Sequence, residues 1–332
     1  MSNILVISKS FFDETTNDIC CWFDFHKIPY VRLNIDQINN PKLYDVFIDF
    51  QSEKIIITDI LLNLKVNLDE IEIVWCRRFI DQSSESITKI GGIIDHNAVT
   101  LSKFIFAENN KFLRILFDFY PNWKWYDYYK DILSVEKIQV LKIAKKTGLT
   151  IPETYITNNQ QALQNIGKDL ITKPIYEATS FTAEKGGIFV THTKKVSDIK
   201  TTGKNFSNSL FQEEIKKRFE IRVFFLEGKF YSMAIFSNKN KHTKVDFRNY
   251  DFKRPNRKIP YQLPQKIEDM LKKLMNELHL TMGSIDLIKS YDNQYYFLEV
   301  NPVGQFGMVS YPCNYFIEEE LVLHLKSKLH AE

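Results

Sequence analysis

"GSIDLIKSYDNQYYFLEVNPVGQFG", residues 283–307, holds two apolar runs around a polar centre and ends in proline and glycine. The pattern predicts a β-hairpin, with Asp292-Asn293 as a favoured two-residue turn. That turn sets Asp286 directly opposite Glu299. Strand side chains alternate, so Glu299 and Asn301 share a face. Like charges opposed across a ladder are destabilising, so the pair calls for a cation between them. Two carboxylates and an amide oxygen are hard donors, a set that suits Mg²⁺ completed by waters and substrate phosphates. The competing reading is an exposed hairpin with solvated acids, and a three-residue loop would break the pairing. Pro302 ends the strand, and Gly304 and Gly307 let the backbone pass close to a neighbour.

Working upstream, Pro264 starts a helix with Ile267, Leu271, Leu274 and Leu278 on one face. Before it lies SNKNKHTKVDFRNYDFKRPNRKIP (237–260), polar, basic and read as a loop, in which Asp246 and Arg248 form a local island. FEIRVFFLEGKFYSMAIF (219–236) reads as a second hairpin turning at Glu227-Gly228, with Glu220 and Arg222 on one face. LFQEEI (210–215) precedes it. Further back, DLITKP carries Lys173 on a strand just before Pro174, followed by Gly186-Gly187 and the short strand GIFVTHT. A lysine leading to a glycine-bearing hairpin suits a flap over phosphates, although GxxxxGK[ST] is absent. Ser134 can N-cap a helix with Ile138, Leu141 and Ala144 in register, closed by Gly148. Lys137 falls in its first turn, where the helix dipole disfavours a cation. It is a tolerated surface lysine or one held there for an anion.

The first ~130 residues alternate strand-like runs (4–8, 30–34, 45–50, 54–59, 71–78) with helical stretches at 15–27 and 95–118. They lack GxGxxG. The last of these strands ends in Arg77-Arg78, of which alternation lets at most one face a cleft. At 332 residues the chain is long enough for two or three domains. Its 44 basic and 41 acidic residues leave a net charge of +3, which implies no nucleic-acid partner. The four cysteines lack zinc or CxxC spacing and read as reduced thiols. No basic n-region and no apolar run of ~20 residues is present. The expectation is a cytoplasmic α/β protein without a membrane partner.

The order of these pieces resembles the ATP-grasp superfamily of carboxylate ligases from about residue 134 to 307. The pieces are a helix lysine (Lys137), a strand lysine before proline (Lys173), FQEEI, E-x-R-V and an Asp…Glu-x-Asn set. More narrowly, VWCRR, KVDFRNYD, LPQKIEDMLKKLM, GSIDLI and FLEVNPVGQFGMVSYPCNY resemble the ATP-grasp ribosomal peptide maturases. These are the graspetide or microviridin-type ligases, and the nearest group is called grasp-with-spasm. The resemblance implies a pre-ATP-grasp α/β domain (1–130), a central lid domain (131–208) and a C-terminal antiparallel-sheet domain (209–332). It also implies ATP and Mg²⁺ in a cleft. Lys137 and Lys173 would contact phosphates, Gln212-Glu213-Glu214-Ile215 would present backbone to adenine, and Glu220 would hold ribose. Asp286, Glu299 and Asn301 would hold the metal.

There are departures. Ser284 stands where D-alanine-type ligases carry an arginine, whereas Glu220-Ile221-Arg222 matches the D-x-R strand of glutamate-adding ligases. The phosphate-stabilising role therefore passes to Arg222, with Arg248 as a second candidate, and Asp246 could orient a hydroxyl nucleophile. A surface salt bridge is the other reading of Asp246 and Arg248. The implied reaction turns an Asp or Glu side chain of a ribosomal precursor peptide into an acyl phosphate. Thr or Ser (ester) or Lys (amide) then attacks it and closes a macrocycle. The alternatives are a ligase adding a free amino acid or small amine, and a nucleotide-binding module without catalysis. The expected partner is a precursor peptide with a leader segment. The N-terminal unit and the apolar helix at 97–119 are candidate surfaces for a homodimer.

Overall fold

Alternation and helical spacing fix most elements of the structure, a computed structural model. It describes residues 3–11, 13–79, 95–176, 180–182, 188–190, 193–199, 205–238, 251 and 253–329. Two compact units emerge, Met1–Tyr129 with Glu318–Glu332, and Lys130–Ile317.

The first unit runs β1 (Ile4–Ser8), α1 (Glu14–Phe25), β2 (Tyr30–Asn34), β3 (Tyr44–Asp49), β4 (Lys54–Asp59), β5 (Leu64–Val66), β6 (Ile73–Cys76), α2 (Asp95–Asp118) and β7 (Lys124–Tyr126). β2-β1-β6-β7 form a parallel sheet, and β3-β4-β5 an antiparallel meander. Ile4, Leu5, Val6 and Ile7 of β1 are all buried, the continuous apolar run of a strand covered on both faces.

The second unit opens with α3 (Tyr129–Ser134), α4 (Lys137–Lys146), β8 (Thr154–Asn159), α5 (Gln160–Asn165), β9 (Leu170–Lys173), β10 (Ser180–Thr182), β11 (Ile188–Val190), β12 (Lys194–Lys195) and β13 (Asn205–Glu213). Of these, β12-β9-β13-β8 make an antiparallel sheet. There follow β14 (Lys217–Leu226), β15 (Lys229–Phe236), β16 (Arg257–Pro260), α6 (Gln265–Glu277), β17 (Met282–Ser290), β18 (Tyr295–Asn301) and α7 (Gly307–Cys313), while α8 (Ile317–Lys328) belongs with the first unit from Glu318 on. The sheet order β16-β15-β14-β17-β18 is antiparallel throughout.

One face of that five-stranded sheet is the core of the unit. Val140, Leu141 and Ala144 of α4 and Leu271, Leu274 and Met275 of α6 pack with Ile221, Val223, Phe225, Ile285 and Leu287. Apart from Ala144, each such side chain contributes about 1.5–3 kcal/mol on burial. With odd-numbered residues of β14 and β17 inward, Glu220, Arg222 and Asp286 are left on the other face. That is how the sheet positions the site.

Three local expectations need comment. Glu227 (φ 46) and Gly228 (φ 89) form the β14–β15 turn with both central residues left-handed, as that turn type requires. Ser134 does not cap α4. It closes α3 with its hydroxyl on the Asp131 carbonyl, and Glu136 is the N-cap residue, with no side-chain cap bond. Two helix signals lie within three residues there, and the bend between α3 and α4 takes the later one. The basic stretch read as a loop contains β16, which pairs with β15 although its own side chains are half-buried or exposed. No described helix is long and apolar enough to cross a membrane. All four cysteines are free thiols.

Candidate active site

The polar face of the five-stranded sheet meets β9 and β13 in a cleft lined by Lys173, Gln212, Glu220, Asp286, Leu298 and Glu299. Roomier hollows lie between β3 and α2 in the first unit, and beside α5 and β12 in the second. Chemistry rather than size distinguishes this cleft.

Asp286 pairs directly with Glu299, and Ser284 with Asn301. The route to that register differs from the expected one. The turn spans three residues, because the Ser290 N–H bonds the Gln294 carbonyl and Asn293 takes φ 66. A β-bulge then follows, with Leu287 opposite Phe297 but Asp286 opposite Glu299, so Leu298 is the extra residue. The extra turn residue and the bulge cancel at Glu299. Between them the faces change: Phe297 and Val300 both join the core, while Leu298 and Glu299 both line the cleft.

Each carboxylate already has a cation. Lys173 Nζ lies 3.8 Å from Glu299 Oε2, with the two side chains 8% and 19% exposed. Arg222 Nη1 donates to both oxygens of Asp286 at 2.7 Å, in a pair that is 8% exposed on each side. Opposed acids in a low-dielectric cleft would repel, and the two cations remove that cost. Asn301 is exposed, and its Oδ1 accepts the Val303 N–H at 3.1 Å. An amide oxygen has a second lone pair for a ligand. The described residues contain no cluster of three His, Cys, Asp or Glu able to hold a metal by themselves. Asp286 and Glu299 line the cleft beside cations, and Asn301, opposite Ser284, lies outside its lining. Two carboxylates with an amide oxygen nearby are donors that fit Mg²⁺ keeping waters and phosphate oxygens as its other ligands.

Lys137, at the start of α4, donates to the carbonyls of Pro174 (2.7 Å) and Tyr176 (2.9 Å), tying the chain that leaves β9. Gly304 packs on the Arg222 side of the site. A Cβ there would stand 2.4 Å from Ser284 Oγ and 3.1 Å from Arg222 Nη2. Phe306, its ring tilted against that of Phe224 with centroids 4.6 Å apart, holds that loop down.

At the other end, Gln212 is buried and its amide donates to Thr154 Oγ1 at 3.0 Å. The Glu213 and Glu214 N–H groups bond the Glu153 and Asp169 carbonyls. The Ile215 N–H makes no such bond among the described residues. Two partners went unseen in the sequence. Lys217 bonds Glu220 Oε1, the pair 7% and 8% exposed, and Lys195 pairs with Glu214 at 2.6 Å. A strand residue and the third one after it face opposite ways, but a register shift between Lys217 and Phe219 brings Lys217 and Glu220 together. Asp246, Arg248, Gly186 and Gly187 lie outside the described residues.

No family model and no curated protein matches the sequence. Solved structures match along the whole chain. The RiPP-associated ATP-grasp ligase of Chryseobacterium gregarium, solved with ADP and a leader and core peptide, is 26% identical with a TM-score of 0.81, covering 99% of this chain and 97% of that one. The macrocyclase MdnC of Microcystis aeruginosa, bound with precursor peptide MdnA, is 24% identical with a TM-score of 0.79 over 99% and 100%. The ATP-grasp ligase PsnB, with minimal precursor, Mg and ADP, is 15% identical with a TM-score of 0.74 over 98% and 96%. The chain has the α/β fold of the ATP-grasp ligases and resembles those that act on ribosomal precursor peptides.

Proposed function

We propose that the chain is an ATP-dependent ligase that joins side chains of a ribosomal precursor peptide into a macrocycle, with ATP and Mg²⁺ bound in the cleft of the second unit. The observation that carries this reading is Asp286 paired with Glu299 on neighbouring strands at one cleft, each with its own cation, in a chain of ATP-grasp fold. Asp286, Glu299 and Asn301 would hold the metal, which would supply positive charge for phosphoryl transfer. Lys173 and Arg222 stand next to those carboxylates and supply positive charge where the γ-phosphoryl group is transferred. Lys137, from α4, is assigned with Lys173 to contacting the phosphates, and its bonds to the Pro174 and Tyr176 carbonyls place it beside the chain that leaves β9. Gln212 to Ile215 and Glu220 hold the nucleoside, Ile215 through its backbone N–H and Glu220 through the ribose, with Lys217 fixing the carboxylate.

The γ-phosphoryl group passes to an oxygen of an Asp or Glu side chain. The acyl phosphate so formed is attacked at carbon by a Thr or Ser oxygen or a Lys nitrogen. The nucleophile's proton leaves, phosphate departs, and an ester or amide remains. Asp246 and Arg248 are assigned to orienting the nucleophile and steadying the departing phosphate. We take the division into an N-terminal domain, a central lid and a C-terminal metal domain from the same reading. A free amino acid or small amine as acceptor is the second reading. The test is to incubate the protein with ATP, Mg²⁺ and the product of a neighbouring short reading frame rich in Thr, Ser, Lys, Asp and Glu. Loss of one water mass per bond supports the macrocyclase. Phosphate release that depends on a free amino acid supports the second reading.

A further inference from the structure

The hollow between β3 and α2 in the first unit holds about 630 Å³ and has no part in the ligase reading. One of its walls is an unpaired strand edge. In the sheet order β3-β4-β5, β3 has a neighbour on one side only among the described residues. Tyr44 pairs with Asp59 and Ile48 with Ile55, and just outside this ladder the Ile60 N–H bonds the Leu43 carbonyl at 2.9 Å. Antiparallel ladders bond alternate pairs. The β4-facing bonds therefore fall at Asp45, Phe47 and Asp49, while Tyr44, Val46 and Ile48 turn their N–H and C=O groups to the outer edge. There the Tyr44 N–H meets the Asn40 carbonyl at 3.0 Å. Those of Val46 and Ile48 meet no partner among the described residues.

Exposed edges are usually blunted by lysine, proline or a bulge. β3 reads YDVFID and keeps an unbroken register with β4, so it carries none of these. Instead Val46 and Ile48 line the hollow. The facing wall is one side of α2, with Glu108, Lys111, Phe112 and Ile115 at the spacing of successive turns. Phe50, just past the end of β3, also lines it and packs on Phe119 with ring centroids 5.3 Å apart. A strand-shaped space with hydrogen-bonding groups on one side and apolar side chains on the other is the setting for β-strand addition.

Charge narrows the occupant. Asp45 lines the hollow from the other face of β3 and makes no ion pair among the described residues. With Glu108 it sets two acids against one base, Lys111. The segment that fits has apolar side chains at alternate positions, toward Phe112 and Ile115, and cationic ones between them, toward Asp45. A second copy of this chain fits less well. Joining Val46 of one copy to Ile48 of the other would set Asp45 opposite Asp49 twice, and like charges directly opposed are destabilising.

We propose that the free edge of β3 takes up an extended, lysine- or arginine-bearing segment of the peptide substrate as an added antiparallel strand. The proposal rests on the ligase reading for the identity of that segment as substrate.

The test is anisotropy of a labelled peptide of alternating Val and Lys with the whole protein, without nucleotide. Its Val–Glu counterpart, two N-methylated forms and calorimetry with ADP and Mg²⁺ run alongside. Residues opposite Val46 and Ile48 share their face, so the Val amides of the peptide bond the edge. N-methylation of the Val amides should weaken binding by about tenfold or more, and N-methylation of the Lys amides should not. Val46→Pro removes an N–H that the β4 ladder does not use, so it should melt close to the unaltered protein and bind about tenfold more weakly. Asp45→Lys, which leaves the backbone alone, should shift preference from the Val–Lys to the Val–Glu peptide. ADP affinity should stay unchanged in both variants. Equal affinity for the plain and Val-methylated peptides, or an unchanged preference in Asp45→Lys, would overturn the proposal. So would a dimer seen by sedimentation that Val46→Pro dissociates, which would assign the edge to a second copy. Absence of ADP binding in the unaltered protein would sink the ligase reading instead, and the peptide results would still decide this edge.

Discussion

Glu299 stands directly opposite Asp286 because a three-residue turn and a β-bulge at Leu298 offset each other. The pairing is that of a regular two-residue hairpin, but the wall of the cleft is not. Bulges recur next to active sites, where they re-aim a side chain. Here the bulge adds Leu298 to the cleft and keeps Phe297 in the core.

Deleting Leu298 should therefore leave the two acids opposed. Phe297 stays opposite Leu287, and Glu299 moves into the place next to it, still facing Asp286. The expected result is ADP binding that still requires Mg²⁺, weakened by less than about tenfold through the lost apolar wall. Calorimetry with and without Mg²⁺ checks this. Loss of the Mg²⁺ requirement would show that the bulge itself aims Glu299.

Lys173→Ala should weaken ADP binding by about tenfold or more, since it removes a charged contact to phosphate. Glu299→Gln should abolish ATP turnover while circular dichroism and melting stay close to the unaltered protein. Unchanged nucleotide affinity in the first variant would contradict the phosphate role of Lys173. Full turnover in the second would take Glu299 out of the metal set.

Gly304→Ala drives a methyl to within 2.4 Å of Ser284, which is itself buried in the sheet. Either the loop lifts or Arg222 shifts. Overpacking of this kind typically costs about 1–3 kcal/mol. Urea unfolding should show that loss, together with weaker ADP binding. A variant as stable and as tight as the parent would mean that the loop yields freely.

Lys217→Met leaves the buried Glu220 carboxylate without its lysine and should destabilise the protein by about 3–5 kcal/mol. Adding Glu220→Leu should return much of that stability while nucleotide affinity falls. If the double variant is no more stable than the single one, Lys217 matters for packing rather than for charge.

Much of this was legible from patterns with a single solution. Glu227-Gly228 between two alternating runs marks the turn, and alternation along β14 put Glu220 and Arg222 together on one face, whereas Asp286 joins them through the β14–β17 pairing. Asp292-Asn293 was a weaker signal, because an asparagine serves equally as the left-handed third residue of a longer loop, which is its place here (φ 66). The bulge that compensates has no sequence mark beyond Phe297 and Val300 standing three apart, a spacing that fits no regular strand. Ser134 misled because a serine closes helices as well as opening them. Lys217 and Lys195 were invisible because sheet register, not chain spacing, brings them to Glu220 and Glu214. Arg77-Arg78 could be flagged by type, but the Asp13 carboxylate beside both reaches them only through the order of the parallel strands.

The most direct measurement is the intact mass of the precursor peptide after incubation with ATP, Mg²⁺ and the protein. The expected result is a loss of one water mass per bond formed, matched by ADP and phosphate, and abolished by Glu299→Gln. A peptide of unchanged mass, while ATP is consumed only when a free amino acid is supplied, would contradict it.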